Sequence, residues 1–436
     1  MSKRRNGNPD LRRAVTPPAP SNEELEARLR DYLSPGTFAN LKTVQDKDRS
    51  LRDRILTLPV MVAIVLSLVY RQMSGLSEVL RVLEQEGLMW VEAQRVSRQA
   101  LSERLRTLPA GLFAQLFEQV LARMQATSSQ GESSAAWQQV QQSFEGIYLA
   151  DGSTLEAIAQ KLHSLQAQAQ TLGGKMMMMV EASSRRPVAA WYSANDKASD
   201  QQWNDQLLER LPTGGLLIFD LGFFNFVWFD ALSEAGKYFV TRWRQKTAGT
   251  VVTVLAAGPR YRDELVQLGR YRSNPCRCPL RRVSVLWGNS WHVYLTNVLD
   301  PNVLSAQQVC DLYAQRWRIE EAFLLTKRLL GLAYLWVGGS NGVQIQLYST
   351  WIFYAVLMEV SHQVAIALRQ PLERISVEMV FRSFYHFSRA RQQNRADALV
   401  PFLVQYHQSF GLVKVQRQRH RRIAAQSLDI WAESLT

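Results

Sequence analysis

The stretch DLYAQRWRIEEAFLLTKRLL, residues 311–330, decides how the rest of this chain is interpreted. Wound at about 100° per residue, a helix would place Tyr313, Arg316, Glu320 and Lys327 within an arc of about 60°. An apolar stripe that a core would bury lies beside that arc: Leu312, Ile319, Phe323 and Leu330. The pattern predicts an amphipathic helix with an aromatic, two cations and one carboxylate along the rim of a buried surface. An ordinary solvated helix face is the alternative interpretation.

Two aspartates upstream stand where apolar runs end. Residues 144–150 read as a strand that ends at Asp151, and residues 216–219 form a short apolar run typical of a buried central strand. That second run delivers Asp220. If the two strands are neighbours and the helix packs against their sheet, Asp151, Asp220 and Glu320 converge.

Three close carboxylates repel one another, and desolvation adds to the cost. Divalent cations relieve that repulsion, and an all-oxygen ligand set favours Mg²⁺, with Mn²⁺ as the alternative, over zinc. Two such ions about 4 Å apart activate a water and stabilise the leaving oxygen of a phosphodiester. Arg316 would bind phosphate through two hydrogen bonds, Lys327 would supply a point charge, and Tyr313 would donate a hydrogen bond.

Each of these residues also has a plain structural interpretation. The dipeptide Asp151-Gly152 is common in turns, Asp220 is placed to cap a following helix, and Glu320 is spaced to pair with Arg316 at i, i+4. Taken together these alternatives lose ground, because independent turns and caps give no reason for phosphate-binding residues beside the third acid.

Length and composition limit the class of protein. A chain of 436 residues suggests about two to four domains, and a hydrophobic fraction of 47% excludes general disorder. The net charge of +13 and the pI of about 9.8 indicate a polyanionic partner, with an anionic membrane surface as the alternative.

Cysteine usage and apolar runs indicate a protein of the cytoplasm. The three cysteines offer only a C-x-C at Cys276 and Cys278, so a disulfide scaffold or a zinc site is not expected. The first residues are basic and Pro-rich without the apolar core of a signal peptide. The apolar run 55–70 is too short to span a membrane, and the run 343–368 carries several polar side chains. We expect two buried core helices and no membrane partner.

The N-terminal third reads as helical. Two helical patterns flank a turn near Gly87, and Ser97 is suited to cap the second helix. This arrangement is typical of a helix-turn-helix that reads a DNA major groove. The outward face would show Gln99, Ser102, Glu103 and Arg106, and because the glutamate would repel phosphate, an ordinary helix pair of a bundle is the alternative.

The spacing Tyr313-x2-Arg316-x3-Glu320-x6-Lys327 resembles the Y-R-E-K signature of the IS4-type family of bacterial insertion-sequence transposases. Asp151 in LADGST and Asp220 in FDLGF resemble that family's first and second catalytic aspartates. A β-rich segment before the glutamate is also similar, and the resemblance covers roughly residues 140–335. The chain departs from the family after the second aspartate, where Leu221-Gly222-Phe223 stands in place of a basic residue followed by Gly-Tyr.

The resemblance implies an α/β, RNase H-like core with a D-D-E triad of Asp151, Asp220 and Glu320 that binds two Mg²⁺ ions. Such enzymes nick transposon ends by water attack, and the freed 3′-hydroxyl attacks the other strand or target DNA. Some excise through a hairpin with a flipped base stacked on an aromatic, a role open to Trp287 or Trp291. An RNase H-like nuclease or resolvase without strand transfer, and a catalytically inactive DNA-binding protein, are the alternatives.

Together, pattern and resemblance predict five regions. These are a disordered basic tail (1–22), a helical DNA-binding region (23–126), a linker (127–140), a catalytic domain (141–335) with a β-rich insertion at about 244–296, and a helical, basic C-terminal region (336–436). Four arginines near the C-terminus are predicted to bind DNA phosphates: Arg417, Arg419, Arg421 and Arg422. The expected partners are double-stranded DNA, as terminal inverted repeats and target, and a second copy of the chain on DNA. The expected location is the bacterial cytoplasm, at the nucleoid.

Overall fold

The structure is a computed structural model that describes residues 18–33, 37–38, 55–126, 135–155, 173–269, 273–332, 334–336 and 339–415. The chain forms two compact units, each built from segments that are distant in sequence. The first unit comprises residues 1–131, 154–174 and 323–414. The second comprises residues 132–153, 175–322 and 415–436.

A mixed sheet in the order β3-β2-β1-β4-β5-β9-β8-β7-β6 organises the second unit. The strands are β1 (Ile147–Thr154), β2 (Lys175–Glu181), β3 (Pro187–Ser193), β4 (Leu216–Ile218), β5 (Tyr238–Arg242), β6 (Gly249–Gly258), β7 (Tyr261–Leu268), β8 (Leu280–Trp287) and β9 (Ser290–Thr296).

Three parallel strands form the middle of this sheet. β4 pairs with β1 on one side and β5 on the other, both in parallel. All three residues of β4 are fully buried, as the continuous apolar run 216–219 predicts. One detail of the sequence prediction is wrong: β1 continues to Thr154, so Asp151 lies inside the strand rather than after it.

β2 and β3 form an antiparallel hairpin, and the turn between them lies at residues 182–186. Arg185, in that turn, has a φ of 59°, the left-handed backbone conformation that tight turns use. The segment that follows the hairpin begins as a single 3₁₀ turn, Asp200–Trp203, and becomes α-helical only at Asn204–Arg210. A further helix, Phe226–Glu234, leads into β5.

Four antiparallel strands, β6 to β9, occupy the predicted β-rich insertion. They extend the same sheet, because β9 pairs with β5 from Val240↔Thr296 onward. β6 is the last strand in the order, and among the described strands it pairs with β7 alone. Three of its valines, Val251, Val252 and Val254, are 40%, 61% and 55% exposed, and the strand carries no charged residue.

The interior of the insertion contains a buried ion pair. Arg281 on β8 binds Asp263 on β7 through two parallel hydrogen bonds, Nε to Oδ1 at 2.7 Å and Nη2 to Oδ2 at 2.6 Å. Its Nη1 donates to the carbonyl of Leu304 at 2.5 Å. The Arg281 side chain is fully buried, so the carboxylate of Asp263 balances its charge and protein oxygens accept its hydrogen bonds.

The stretch 311–330 is not one continuous α-helix, contrary to the sequence prediction. It is divided into Ala306–Ala314, Trp317–Leu324 and a π-helical turn, Leu325–Leu329. At the first break, Arg318 and Ile319 donate to carbonyls three residues back instead of four, which tightens the turn around Arg316. The three pieces still follow one another along the chain. However, the predicted arc assumed a uniform rotation of about 100° per residue, and the breaks remove that regularity.

The long helix Ser340–Ala367 organises the first unit. Leu58–Tyr70, Ala110–Ala126 and Val377–Gln392 pack against it. By length and composition it is the one helix among the described residues that could cross a membrane, but 72% of its most apolar window is buried inside the protein. Leu58–Tyr70 is shorter and nearly all buried. Both runs are therefore packed as core helices, as the sequence predicts.

The prediction of a helix-turn-helix is wrong, because the segment that connects the two helices is too long. Ser97 does cap the second helix, Arg98–Thr107, by accepting from the amide of Ala100 at 3.1 Å. However, residues 86–97 separate this helix from Leu76–Gln85, and a helix-turn-helix has a turn of only about three or four residues. Glu103 pairs with Arg106 at 2.7 Å on the outward face.

Candidate active site

Arg316 lies between two of the predicted carboxylates. Its Nη1 is 3.0 Å from Oδ2 of Asp151 and 3.2 Å from Oε1 of Glu320. The first contact joins residues 165 positions apart, from the central strand β1 and from the turn before Trp317–Leu324. One guanidinium nitrogen is thus shared between two acids.

Asp151 is the most perturbed acid of the group. It is 8% exposed, and burial is the largest cause that raises its pKa to about 7. The charge of Asp220 raises the pKa further, Arg316 lowers it, and Glu320 raises it again. Three acids therefore act on one another here, and the single arginine compensates their repulsion only in part.

Asp220 follows β4 by two residues, beside β1. Its Oδ1 accepts a hydrogen bond of 2.7 Å from the amide of Gly222 and caps the short 3₁₀ turn Leu221–Phe223. Asp151 likewise accepts from the amide of Gly152, at 2.8 Å. The cap on Asp220 and the i, i+4 pair of Glu320 are the plain structural roles that the sequence offered as alternatives. They coexist here with the convergence of the acids.

Tyr313 completes the cluster around Arg316. Burial is the largest cause that raises the pKa of Tyr313, while Arg316 and Arg242 lower it and Asp220 raises it. Its ring lies 5.3 Å from that of Tyr294 on β9, centroid to centroid. The residues predicted from positions 151, 220, 313, 316 and 320 therefore come together within the second unit.

Lys327 lies in the π-helical turn Leu325–Leu329. Its ammonium donates to the backbone carbonyl of Thr154 at 2.7 Å. Arg417, Arg419, Arg421 and Arg422 lie outside the residues that the structure describes. Of the two tryptophans considered as base-stacking platforms, Trp291 is 47% exposed, while the ring of Trp287 packs at 4.9 Å from that of His292.

The donor set fits a hard divalent cation in kind, because Asp151, Asp220 and Glu320 offer only carboxylate oxygens. The charges of Asp220 and Glu320 add to burial in raising the pKa of Asp151, and a bound cation would relieve that repulsion. Within the described ranges, no group of three or more His, Cys, Asp or Glu side chains is spaced to hold a metal ion. The guanidinium of Arg316 sets the present spacing of Asp151 and Glu320.

The sequence interpretation missed two residues next to this cluster, Asp200 and Lys175. Their side chains pair at 2.7 Å, and the Asp200 carboxylate lies directly over Gly152 and Gly222. The available signal was a glycine shortly after each aspartate, because a glycine permits another group to approach the backbone closely. Nothing in the sequence identified that group.

Comparison with known proteins agrees with the site. Residues 142–355, just under half of the chain, match the family model described as a transposase DDE domain. The match includes every acid of the cluster as well as Tyr313, Arg316 and Lys327. Residues 142–355 are therefore similar to a transposase DDE domain.

Two individual proteins are similar to this chain. "Putative transposase y4zB" of Sinorhizobium fredii (strain NGR234) is 28% identical over 169 residues, which cover 36% of this chain and 47% of that protein. The chain thus matches about half the length of this relative. A cryo-EM structure of the piggyBac transposase synaptic complex with hairpin DNA is also similar, at 10% identity and a TM-score of 0.39. The similarity covers 93% of this chain and 86% of the piggyBac chain. A score this low does not establish a common fold.

Proposed function

We propose that this protein is a DNA transposase of the IS4 type, which cleaves transposon ends and transfers the 3′-hydroxyl strand to target DNA. The match of residues 142–355 to a transposase DDE domain supports the general class. The observation that carries the proposal is the contact of Arg316 with both Asp151 and Glu320, beside Asp220. Asp151 and Arg316 are 165 positions apart, so their contact depends on the tertiary fold and not on local sequence.

The strand order supports an RNase H-like core. In the segment β3-β2-β1-β4-β5, the parallel strands β1 and β4 bring Asp151 and Asp220 side by side. The helix Trp317–Leu324 supplies Glu320. Strands and helices are rigid elements, so this arrangement holds two of the acids at a defined separation and lets the third approach from a helix.

The residues have separate roles in this proposal. Asp151, Asp220 and Glu320 would hold Mg²⁺, or Mn²⁺, which when bound supplies charge to activate a water and to stabilise the leaving oxygen of a phosphodiester. Arg316 would move from the acids to the phosphate of the scissile strand. Tyr313 would donate a hydrogen bond to the same phosphate, and Lys327 would contribute a positive charge to DNA binding.

One observation favours a different function. Because Arg316 pairs with both Asp151 and Glu320, the cluster resembles a structural ion network, and the described residues hold no three-acid metal group. A metal-free DNA-binding protein would have such a network. The two functions differ in whether a divalent cation displaces Arg316.

The decisive experiment compares two neighbouring glutamates on one helix. Glu320→Gln removes a proposed metal ligand, whereas Glu321→Gln removes the same charge from the next residue, whose partner is Arg185 at 3.1 Å. The substrate is a DNA end that carries the inverted repeat found beside the coding region, incubated with Mg²⁺. We expect Glu320→Gln to lose nicking by at least about 100-fold, the scale for removing a group that stabilises the charge of a transition state.

In the same assay Glu321→Gln should nick at nearly the parental rate, and both variants should keep parental DNA affinity. Nicking by Glu320→Gln at near the parental rate would exclude the triad. Adding target DNA separates transposase from nuclease or resolvase, because only a transposase joins the 3′-hydroxyl to the target.

Binding of DNA is proposed to depend on phosphate contacts, with two copies of the chain on the paired ends. The logarithm of the binding constant should then fall by about 0.9 per phosphate contact for each unit of log salt. Replacing Arg417, Arg419, Arg421 and Arg422 together with alanine should flatten that slope. An unchanged slope would remove these arginines from the DNA interface.

A further inference from the structure

Asp200 is wedged between the two glycines that follow the catalytic aspartates. A Cβ atom added to Gly152 would overlap Oδ1 of Asp200, and one added to Gly222 would lie 2.8 Å from Oδ2. The two oxygens of one carboxylate therefore contact the backbones of two separate segments. Asp200 itself belongs to neither β1 nor β4 but begins the 3₁₀ turn Asp200–Trp203.

The same two glycines orient the acids of the cluster. The amide of Gly152 donates to Asp151, and the amide of Gly222 donates to Asp220. A carboxylate packed against both glycines fixes where those amides lie. It thereby fixes the separation of the two acceptor carboxylates.

Lys175 holds the side chain of Asp200 in place. Its ammonium is 2.7 Å from Oδ1 of Asp200 and donates to the carbonyl of Ala198 at 2.9 Å. Both side chains are mostly buried, with 13% of Lys175 and 19% of Asp200 exposed. Lys175 is the first residue of β2, which anchors the pair to the sheet.

A second set of contacts ties the same turn to the Asp220 loop. The side chain of Gln201 donates to the carbonyl of Gly222 at 3.4 Å and accepts from Asn225 at 3.2 Å. The turn at residues 200–203 is therefore joined to the loop after β4 by side-chain and packing contacts together.

We infer that Asp200, held by Lys175, is a positioning residue that sets the separation of Asp151 and Asp220 for binding a divalent cation. The inference rests on the proposed function, since it gives these two aspartates the role of metal ligands. Asp200 acts through the backbones of Gly152 and Gly222 and does not itself ligate the ion.

The first test measures Mn²⁺ binding by the DNA-free full chain, by titration calorimetry. Asp200→Asn keeps the shape of the side chain but loses the ion pair with Lys175. We expect Mn²⁺ affinity to fall by about tenfold, the lower end of the range for residues that orient metal ligands. Lys175→Met should show the same loss, and the double variant should be no worse than either single one.

The matched control is Asp205→Asn, an exposed carboxylate five positions further along the same segment, which should bind Mn²⁺ like the parental chain. The melting temperature of each variant is measured as well. A variant that keeps the parental value is folded, so its loss of Mn²⁺ affinity is not a loss of fold. Unchanged affinity in Asp200→Asn overturns the inference. Loss as complete as in Glu320→Gln also overturns it, because Asp200 would then be a ligand.

The second test uses the space over Gly152. Gly152→Ala should push Asp200 aside and reproduce the tenfold loss, and combining it with Asp200→Ala should add nothing further. Additive losses would mean that Gly152 and Asp200 act separately. Failure of the proposed function has a different signature: the parental chain would then bind no Mn²⁺ and nick no DNA, whereas failure of this inference alone leaves both intact in the parental chain.

Discussion

Two buried arginines of the second unit bind carboxylates in contrasting ways. Arg281 forms two parallel hydrogen bonds with Asp263 and a third with a backbone carbonyl, and its side chain is fully buried. Arg316 offers one nitrogen to Asp151 and Glu320, and 43% of the Glu320 side chain is exposed. The first arrangement is matched one to one, whereas the second has more acids than cations.

The first arrangement is a structural ion pair, whereas the carboxylates of the second can still attract another cation. A saturated pair has no remaining attraction for another ion, so its contribution is to the fold. An arginine shared among several acids leaves part of their repulsion uncompensated, and this repulsion adds to burial in raising the pKa of Asp151. The same residue types therefore serve stability in one place and, in the proposed function, cation binding in the other.

The largest expected effect is on the saturated pair. Arg281→Met leaves Asp263 buried without a partner, so we expect the free energy of unfolding to fall by about 3–5 kcal/mol, or the protein to become insoluble. Denaturant titration measures this change. Arg281→Met combined with Asp263→Leu should recover most of the loss, and a double variant no better than the single one would contradict the pairing.

The second effect is stabilisation by a divalent cation. A ligand that binds only the folded chain adds about 2.7 kcal/mol when present at 100 times its dissociation constant. We expect Mg²⁺ to raise the melting temperature of the parental chain and of Asp205→Asn, but not of Asp151→Asn. An equal rise in Asp151→Asn would place the ion elsewhere.

A third, smaller effect concerns Arg316. Arg316→Met should cost only about 1 kcal/mol in the absence of metal. Asp151 can remain protonated, and water hydrates the exposed part of Glu320. Nicking should fall partially, with Mn²⁺ still bound. A loss of stability as large as that of Arg281→Met would erase the distinction between the two arginines.

The smallest effect is on a buried acid that accepts a hydrogen bond from a tyrosine. Glu26, in the first unit, accepts from the hydroxyl of Tyr70, and burial is the largest cause that raises its pKa. Because the folded chain keeps this proton where the unfolded chain has lost it, the stability it contributes is present at low pH and is lost as pH rises through the folded pKa.

Glu26→Gln keeps the hydrogen bond and does not titrate. Its melting temperature should therefore match that of the parental chain near about pH 4 and exceed it near about pH 7.5. Thermal scans across this range measure the difference. A gap that shrinks as pH rises would have the wrong sign for a buried acid.

Local pattern was enough to predict much of the sheet. The apolar runs 144–150 and 216–219 predicted β1 and β4, a β-rich insertion was predicted at about 244–296, and length and apolarity predicted the helices 58–70 and 340–367. The break at Arg316 was not predictable, because it depends on backbone hydrogen bonds that shift from four residues to three without any glycine or proline to mark them.

The site was predictable in its residues but not in its contacts. Spacing identified Tyr313, Arg316 and Glu320, yet the pairing of Arg316 with Asp151 joins distant segments and follows only from the sheet order. Asp200 was missed for the same reason: its partners, Gly152, Lys175 and Gly222, come from three different segments. Long-range packing leaves no periodic trace in a single sequence.

The exposed edge strand β6 has a consequence for work with the purified protein. Its sequence GTVVTVLAAG has high β-propensity and no charge, and one side of its backbone has no neighbouring strand in the described sheet. Such an edge is a template for aggregation, since it lacks the lysine or proline that commonly protects edges, and two irregularities in its pairing with β7 are the protection that the strand has. Val252→Lys should act as a gatekeeper residue, so that stocks stay clear on storage where the parental chain slowly becomes turbid.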